Sequence, residues 1–251
     1  MKKIGLIGFG KTGKAVANVV LQQENYSLEW VLRKSEKQEQ ISVKDFMGIE
    51  CDDPGKIYAL KNIHFDSFIE ENPVDYIIDF SSEFGIYTYG DAAARKHIKI
   101  ITAISHYDVK TVKYLKSISH ETTVMWSPNI TLGVNFLLTA SRILKKIAPY
   151  VDIEIIEEHF KQKKGISGTA LKIADKLRIT NDKINSIRVG GIVGKHEVIF
   201  GFPYQTIRLV HESISREAFG NGVIFAADNL HDKSKGYYQF EDLLLPYFLI
   251  S

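Results

Sequence analysis

In the first half of the chain, short apolar runs alternate with segments whose apolar residues recur at helical spacing. The first run, residues 4–7, is followed by a stretch with alanine or valine at positions 15, 16, 19 and 20. Further apolar runs follow at residues 28–34, 74–82 and 97–105. Strands that alternate with helices predict an α/β fold of the Rossmann type, in which a doubly wound parallel sheet has helices on both faces.

The second half of the chain has a different pattern from about residue 152 onward. Its segments alternate apolar and polar residues, as in 152–160 and 205–215, and helical spacing is scarce until it returns after residue 216. This alternation predicts a second α+β domain with an open mixed sheet that is packed on one face. We therefore predict a dinucleotide-binding domain at residues 1–128 and 215–251. A substrate-binding and oligomerisation domain is predicted between them, at 129–214.

A glycine-rich segment joins the first predicted strand to the first predicted helix. It places Gly8, Gly10 and Gly13 in a G-x-G-x-x-G pattern, with Lys11 and Thr12 between the last two glycines. In this context the glycines allow a tight turn, close approach of a pyrophosphate and packing of helix on strand. The segment predicts dinucleotide binding at the helix N-terminus. The alternative is a glycine-rich turn that binds no ligand.

The end of the second predicted strand bears on the choice of cofactor. An NAD site usually has an acidic residue here, whereas this strand ends in Arg33 and Lys34. Cations favour a 2′-phosphate, so we predict NADPH as the cofactor and NADH as a possible substitute, although Glu36 lies close by. The alternative is a solvated basic loop. Ligands of such sheets bind beyond the carboxyl ends of the strands, which adds five predicted cofactor-binding residues: Phe80, Ser81, Ala103, Ser127 and Asn129.

The segment EEHFKQKKGISGTA, residues 157–170, gathers positive charge before a predicted helix start. Ser167 is a good N-cap residue, and the N–H groups of Gly168 and Thr169 would then be first-turn donors for an anion. Lys163 adds charge, and His159 is a candidate general acid. Taken singly, His159 is more typical of a half-exposed strand histidine, and the lysines at 161, 163 and 164 are more typical of a solvated loop. Together with the dinucleotide pattern they indicate reduction of an anionic substrate.

Composition excludes several other classes of protein. Of the 251 residues, 45% are hydrophobic and 25% charged, and the net charge of +2 argues against binding of nucleic acid or a membrane surface. No apolar run is long enough to cross a bilayer. Cys51 is the single cysteine, which rules out a disulfide framework and suits a cytoplasmic protein. We predict no metal site.

Several segments of the chain together resemble one known family. They are GFGKTG, DFSS, SPNITLGVN, EEHFKQKKGISGTAL, SIRVGGIVGKHEVIF and REAFGNGVIFAADNL, which extend over nearly the whole sequence. The chain resembles the dihydrodipicolinate reductases, now called 4-hydroxy-tetrahydrodipicolinate reductases, of lysine and diaminopimelate biosynthesis. The resemblance implies hydride transfer from NAD(P)H to a cyclic imine or enamine dicarboxylate, and a homotetramer formed through the sheet of the second domain. It further implies that His159 is catalytic, Lys163 donates the proton, and Ser167, Gly168 and Thr169 hold a substrate carboxylate.

Three departures from the family pattern lie on the substrate side. Phe160 replaces the second histidine of the family's motif, and Ile166 replaces a proline in a loop that is one residue shorter. Ile104 stands where the resemblance places a substrate-contacting threonine. Two alternatives therefore remain open: a related dehydrogenase that acts on another amino or imino acid, and a pyridine-nucleotide-binding sensor or assembly partner that has lost catalysis.

Overall fold

The computed structural model describes residues 1–249, which divide into two compact units. The first unit comprises Met1–Ile130 and Phe219–Leu243, and the second comprises Thr131–Ala218 and the C-terminal segment that begins at Leu244. The sequence places that last segment in the dinucleotide-binding domain, and the structure groups it with the second unit. The reason is aromatic packing, because Phe248 stacks on Phe136 with ring centroids 5.3 Å apart.

The first unit contains a parallel sheet with strand order β11-β6-β5-β4-β1-β2-β3 in the part of the chain that the structure describes. Its strands are β1 (Lys2–Ile7), β2 (Tyr26–Arg33), β3 (Lys56–Ala59), β4 (Tyr76–Asp79), β5 (Lys99–Thr102), β6 (Thr123–Trp126) and β11 (Gly236–Tyr238). Its helices are α1 (Lys11–Val20), α2 (Val43–Met47), α3 (Phe65–Glu71), α4 (Ile86–Arg95), α5 (Val109–Ile118), α8 (Glu217–Leu230) and α9 (Phe240–Leu244). This arrangement confirms the predicted Rossmann-type sheet.

Close approach of neighbouring elements explains two glycines outside the fingerprint. The indole of Trp30 is fully buried and lies over Gly5 of β1, where a Cβ would come within 2.1 Å of the ring. On the helical layer, a Cβ on Gly220 of α8 would come within 2.5 Å of Val19 of α1. The two glycines therefore allow Trp30 of β2 to pack closely over β1 and α8 to pack closely against α1.

The register of the sheet aligns the carboxyl ends of its central strands. Ile7 of β1 pairs with Leu32 of β2 on one side and with Asp79 of β4 on the other. Asp79 in turn pairs with Thr102 of β5, and Thr102 with Trp126 of β6. Since β1 is the strand at which the direction of chain crossing reverses, this edge is the place where doubly wound sheets bind ligands.

The second unit has a mixed sheet with strand order β10-β9-β7-β8. Strand β8 runs parallel to β7, whereas β9 is antiparallel to both β7 and β10. The strands are β7 (Asp152–His159), β8 (Ile184–Arg188), β9 (Gly194–Phe202) and β10 (Gln205–Ser213), and the helices are α6 (Leu132–Ile147) and α7 (Gly168–Leu177). The predicted α+β second domain with an open mixed sheet is therefore confirmed.

One face of this second sheet carries two chemically different halves. Alternate residues of β7 and β9 point to the same side, so Ile155 and Val198 join the apolar cluster with side chains of α6 and α7. Further along the same two strands, the buried side chains are Glu157, His159 and His196. A core strand that changes from aliphatic to ionisable residues marks the polar end as a functional region.

Candidate active site

The glycine turn after β1 has the shape that the fingerprint predicts. Gly8 has a φ of +94°, and a Cβ there would lie 2.5 Å from the Phe80 carbonyl carbon. A Cβ on Gly13 would lie 1.9 Å from the Gly8 carbonyl oxygen. At Gly10, by contrast, a Cβ would meet no other part of the described chain within 4 Å. Gly8 and Gly13 are thus required by packing, while Gly10 keeps open the space in front of the helix start where a phosphate fits.

A cleft of about 590 Å³ opens at this turn, within the first unit. Six of the predicted cofactor-binding residues line it: Gly8, Gly10, Arg33, Lys34, Phe80 and Ser81. Lys11, Thr12 and Gly13 form the first turn of α1. Ser82, the last residue of the DFSS segment, also lines the cleft, as do Ser35 and Gly85, which were not predicted. The dimensions and the glycine-lined floor fit a dinucleotide.

The residues that follow β4, β5 and β6 lie at the same edge of the sheet as the glycine turn after β1. The backbone N–H of Gly8 donates to Leu32, that of Phe80 to Ile7, and those of Ala103 and Ser127 to Asp79 and Thr102 respectively. Ser127 also donates its side-chain hydroxyl to the carbonyl of Asn129. The structure therefore places all the predicted strand-end residues at one edge of the sheet, although Ala103, Ser127 and Asn129 are outside the lining of the cleft.

A buried carboxyl group shapes the turn at Phe80 and Ser81. Asp79 accepts hydrogen bonds from the Ser81 backbone N–H and the Tyr89 hydroxyl, both at 2.8 Å. Its side chain is fully buried, and burial raises its pKa above the usual range even though these hydrogen bonds act in the opposite direction. Asp79 thus fixes the backbone that faces the cleft, without contributing its side chain to the lining.

The basic end of the cleft has no acidic residue in its lining. Arg33 and Lys34 lie there, and the Arg33 guanidinium donates to the side-chain oxygen of Gln38 at 3.1 Å. The nearby acid Glu36 forms an ion pair with Lys61 at 2.5 Å. Glu39 accepts from the side chain of Asn62 at 2.8 Å. Both acids are therefore engaged elsewhere, and the electrostatic character of this end is set by its cations.

A buried ion cluster occupies the polar end of the second unit. His159, the last residue of β7, is 7% exposed and shares a short hydrogen bond through Nδ1 with the Oε2 of Glu157. The Oε1 of Glu157 accepts from the Ser186 hydroxyl and the Arg188 guanidinium, both on β8. His159 is therefore an oriented, buried imidazole, in contrast to the half-exposed strand histidine that the sequence also allowed.

The surroundings set the protonation of this pair. Burial alone would raise the pKa of Glu157, but the hydrogen bonds from Arg188, Ser186 and His159 outweigh it and hold the pKa at about 2. Burial lowers the pKa of His159, and the charges of Lys163 and Arg188 lower it further against the opposing effect of Glu157. At neutral pH the pair is thus a carboxylate and a neutral imidazole whose Nδ1–H is donated to it.

Space beside the ring leaves the other nitrogen of His159 accessible to its neighbours. A Cβ on Gly194 would lie 3.0 Å from the His159 Nε2, so glycine at this position keeps that nitrogen uncovered. The ring of His196 stands at 75° to that of His159 with the centroids 5.3 Å apart. With Nδ1 bound to Glu157, Nε2 is the atom through which His159 can exchange a proton.

A second buried histidine connects the cluster to the start of α7. His196 lies opposite Glu157 in the β7–β9 register, and its Nε2 is 3.0 Å from the Ser167 hydroxyl. Burial lowers its pKa to about 3, so it is neutral at physiological pH. Its Nδ1 is buried and has no hydrogen-bond partner among residues 1–249.

The start of α7 has the features of an anion-binding helix N-terminus. Ser167 caps the helix, and its Oγ accepts from the Ala170 N–H at 3.0 Å. The first turn contains no acidic residue, and a Cβ on Gly168 would meet no other described atom within 4 Å. Of the lysines in the preceding loop, Lys163 is half-buried, whereas Lys161 and Lys164 are exposed. This combination favours a negative charge in front of the helix.

Glu157, His159 and His196 could also hold a metal ion, since their ligand atoms lie within 4.8 Å of one another. The charge balance opposes this. The Glu157 carboxylate already accepts three hydrogen bonds, one of them from Arg188, and the charge of Lys163 acts on both histidines. A divalent cation would have to displace or adjoin these positive groups, so we interpret the cluster as a hydrogen-bonded acid–base pair.

The three departures from the family pattern have different structural settings. Phe160 is 41% exposed at the end of β7. Ile166 is half-buried and packs on the apolar cluster of the second unit, which anchors the shortened loop. Ile104 is buried in the core of the first unit with Tyr107. Its backbone carbonyl accepts a hydrogen bond from the indole N–H of Trp126 at 2.8 Å. The Ile104 side chain is therefore part of the core, at the position where the resemblance places a substrate-contacting threonine.

Comparison with known proteins gives the family. Residues 2–130 match the family model described as dihydrodipicolinate reductase, N-terminus, and residues 130–244 match the one described as dihydrodipicolinate reductase, C-terminus. The chain belongs to the dihydrodipicolinate reductase family. Members of this family carry out a reduction in the lysine and diaminopimelate pathway with a nicotinamide cofactor, so the chain is an oxidoreductase of that type.

Individual relatives agree with this family. The 4-hydroxy-tetrahydrodipicolinate reductase of Caldanaerobacter subterraneus subsp. tengcongensis is 34% identical over 68% of this chain and 76% of its own length. The enzyme of the same name from Staphylococcus haemolyticus is 29% identical over 96% of this chain and 100% of its own. A solved structure of dipicolinate-bound dihydrodipicolinate reductase from Paenisporosarcina sp. TG-14 has a TM-score of 0.80 at 18% identity, covering 95% of this chain and 97% of that one.

Sequence reasoning missed four members of the polar cluster in this reductase-family chain. They are Glu157, Ser186, Arg188 and His196. A signal existed for one of them, because Glu157 lies two residues before the predicted His159 on the same strand and must face the same side. Ser186 and Arg188 of β8 and His196 of β9 join the cluster through the register between strands, which cannot be deduced from the sequence.

Proposed function

We propose that this chain reduces 4-hydroxy-tetrahydrodipicolinate to tetrahydrodipicolinate, with His159 and Lys163 as its catalytic residues. The observation that carries the proposal is the buried Glu157–His159 pair, which shares one unit with a half-buried lysine and an acid-free helix start. A cyclic imine dicarboxylate needs a proton source, a polar group beside the ring and donors for its carboxylates. All three are present in this unit.

Lys163 is the proposed proton donor. The 4-hydroxyl group of the substrate leaves as water, which creates a carbon–carbon double bond conjugated to the imine. A bound nicotinamide would supply a hydride to the carbon that carried the hydroxyl group, and the other end of that carbon–carbon double bond then needs a proton. The Lys163 ammonium gives up that proton and regains one from solvent afterwards. The neutral His159, whose Nδ1–H is held by Glu157, presents Nε2 as the group that accepts hydrogen bonds or relays protons at the site.

Ser167, Gly168 and Thr169 are the proposed carboxylate site. The N–H groups at the start of α7 and the partial positive charge of the helix favour an anion there. The Ser167 hydroxyl is within hydrogen-bond distance of both the Ala170 N–H and His196, so its orientation is fixed. Lys163 adds a full positive charge in the loop that precedes the helix.

NADPH is the proposed cofactor, with NADH as a weaker substitute. Support comes from Arg33 and Lys34 at the basic end of the cleft, and from the ion pair of Glu36 with Lys61.

The cofactor preference is tested by one substitution in the cleft and a control substitution in the same loop. Lys34→Ala should raise the Kd for NADPH about tenfold and leave that for NADH unchanged, because one charge-assisted hydrogen bond is worth about 1.4 kcal/mol or more. Lys37→Ala, in the same loop but outside the lining, should change neither Kd.

A second candidate function has one specific observation in its favour. The exposed Phe160 stands where the family motif has a histidine, so the residue that follows His159 is apolar in this chain. A related dehydrogenase for another amino or imino acid would use the same His159 and Lys163. Loss of catalysis with retained nucleotide binding is disfavoured by the intact buried pair, since burying two ionisable groups is costly without a use.

Assembly and location remain proposals of the same kind. The uncovered face of the second sheet presents the ion pairs Glu158–Lys195 and Glu197–Arg208 around the exposed Val210. We propose that copies of the protein associate through this face into a homotetramer, whose mass light scattering of the purified protein would measure.

A cytoplasmic location fits the unpaired thiol of Cys51. Among residues 1–249, no helix combines the length and apolar character that a membrane span requires.

The decisive experiment follows NADPH absorbance with the imine generated in situ by its synthase. Wild type, Lys163→Ala and Lys164→Ala are compared, the last being the exposed neighbour that serves as matched control. We expect Lys163→Ala to lower kcat about 10²–10⁴-fold with unchanged NADPH affinity, as for loss of a positioned proton donor. Equal rates for the two lysine variants would overturn the role of Lys163. No oxidation by wild type that still binds NADPH would favour the second candidate.

A further inference from the structure

One side chain outside the proposed catalytic set contacts both halves of the second-unit site. Arg188 ends β8, opposite His159 in the parallel register, and its side chain is 18% exposed. Its Nη2 forms an ion pair with the Oε1 of Glu157, whose Oε2 holds His159. Through one buried carboxylate, Arg188 thus acts on the orientation and protonation of the imidazole.

The same guanidinium also holds the loop that carries Lys163. Its Nε donates to the Lys163 carbonyl at 3.1 Å, and its Nη2 donates to the Gly165 carbonyl at 2.6 Å. The loop turns at Gly165, where φ is +64°, and then enters the cap of α7 at Ser167. Arg188 therefore contacts the backbone of this loop at Lys163 and again at Gly165, where the loop turns.

We propose that Arg188 is a positioning residue for the reduction, which fixes the Lys163 loop against the Glu157–His159 pair. The inference rests on the proposed roles of His159 and Lys163. A planar guanidinium with a fixed fork of donors can reach one carboxylate and two carbonyls at once. A lysine at this position would keep the charge but could not make these contacts in the same geometry. Charge and geometry can therefore be tested separately.

The charged surroundings of His159 predict how its titration responds. Facing it are Glu157 on its own strand, Arg188 on β8, Lys163 on the loop and the neutral His196 on β9. Burial is the main cause of its lowered pKa, and the cations of Lys163 and Arg188 add to that effect. Removal of the Arg188 charge, with Glu157 still ionised, should therefore raise the pKa of His159.

The kinetic test compares Arg188→Met and Arg188→Lys with a control, Arg95→Met. Arg95 lies in the first unit and pairs with Asp66 on the surface, so the control removes the same charge from the unit that does not contain Arg188. We expect Arg188→Met to lower kcat/KM for the imine about 10²-fold, as for a misplacement of about 1 Å. Arg188→Lys should lose nearly as much, while NADPH affinity stays at the wild-type value in all variants.

The second measurement does not depend on the substrate. In protein with ¹³C-labelled histidine, the His159 signal is assigned with His159→Gln and titrated. Arg188→Met should shift its midpoint to higher pH, Arg188→Lys should leave it close to wild type, and Arg95→Met should not move it. If wild type fails to reduce the imine, the proposed function fails, yet this titration still tests Arg188.

Two results would overturn the proposal. One is an Arg188→Met protein whose kinetics and His159 titration match those of Arg95→Met. The other applies if Arg188→Met does not fold by circular dichroism. In that case Arg188→Lys decides, because wild-type kcat/KM in the lysine variant would mean that charge alone suffices and the fork contacts to Lys163 and Gly165 position nothing.

Discussion

The two units of this protein build their sites by different means. The first unit makes its cleft from backbone, with glycines, strand ends and a helix start supplying the contacts. The second unit makes its site from buried side chains, among which a carboxylate with a pKa of about 2 and a histidine with a pKa of about 3 are neighbours in the register. Steric fit therefore governs the first site, and electrostatic balance governs the second.

This difference determines how each site fails. A site built from backbone is disrupted when an added atom meets a carbonyl that cannot move. Because backbone groups do not titrate, a change of pH has little effect on the contacts that they make. A buried ionic site depends on both the charge and the hydrogen-bond geometry of each member, because an unpaired buried charge is costly. Substitutions that add a side-chain atom should therefore have the largest effects in the first unit. Changes that alter the charge or protonation of a side chain should have the largest effects in the second.

The largest expected effect comes from a methyl group in the glycine turn. Gly13→Ala places a Cβ 1.9 Å from the Gly8 carbonyl oxygen, which is backbone and cannot move aside cheaply. We expect the first unit to lose about 3 kcal/mol of its free energy of unfolding, the upper end for overpacking. Tryptophan fluorescence during urea unfolding measures this, since both tryptophans, Trp30 and Trp126, belong to the first unit.

Gly10→Ala is the matched control for that substitution. Its Cβ would enter open space, and the φ of −79° suits alanine, so the free energy of unfolding should change by less than about 0.5 kcal/mol. The Kd for NADPH should nevertheless rise at least tenfold, since the methyl group occupies the approach of the phosphate. A Gly10→Ala protein with unchanged NADPH affinity would remove the dinucleotide assignment of this turn.

A smaller effect concerns the acid sensitivity of the second unit. The folded pKa of His196 is about 3, below the ordinary value of 6.5, so the unfolded chain binds a proton first as the pH falls. Its contribution to stability is complete above pH 6.5 and is lost progressively down to pH 3. Between pH 7 and pH 5 this loss is about 2 kcal/mol. The lowered pKa values of His159 and His211 act in the same direction.

Hydrogen exchange of the strands β7 and β9 at the two pH values measures this loss. His196→Asn retains a polar partner for Ser167 and has no group that titrates in this range, so the difference should shrink by about 2 kcal/mol. His120→Asn, an exposed position in the first unit, serves as control and should leave the difference unchanged. An equal acid response in all three proteins would mean that His196 is not buried as a neutral ring.

The contrast between the units also explains what the sequence could predict. The fingerprint at Gly8–Gly13 and the strand ends at Phe80, Ala103 and Ser127 were predicted from contiguous residues, because a parallel α/β sheet aligns its carboxyl ends by rule. The structure places them in one row. Ser167 was likewise predicted as a cap from local chemistry alone, and its hydroxyl does accept from Ala170.

The remaining features depend on information that local patterns do not carry. The edge strands β3 and β11 were both missed, because they span only four and three residues and do not lie within a longer apolar run such as the one that contains the four-residue strand β4. Arg188 and His196 join the site through pairing of β7 with β8 and β9, over separations of 29 residues from His159 and 39 residues from Glu157 respectively. The burial of Ile104 could not be inferred from its place in a loop motif, because tertiary packing decides which way that side chain points.

The smallest expected effect tests which substrate the second unit prefers. Phe160 is 41% exposed, so Phe160→His should leave the free energy of unfolding within about 0.5 kcal/mol of wild type. It restores the histidine of the family motif, and one added hydrogen bond to a carboxylate is worth about 1 kcal/mol. We therefore expect kcat/KM for the imine dicarboxylate to rise about fivefold with no change in NADPH affinity. Phe160→Leu, which keeps an apolar side chain, is the control. A fall in kcat/KM for Phe160→His alone would instead indicate that the natural substrate uses the aromatic surface, as expected for a dehydrogenase of a less polar imino acid.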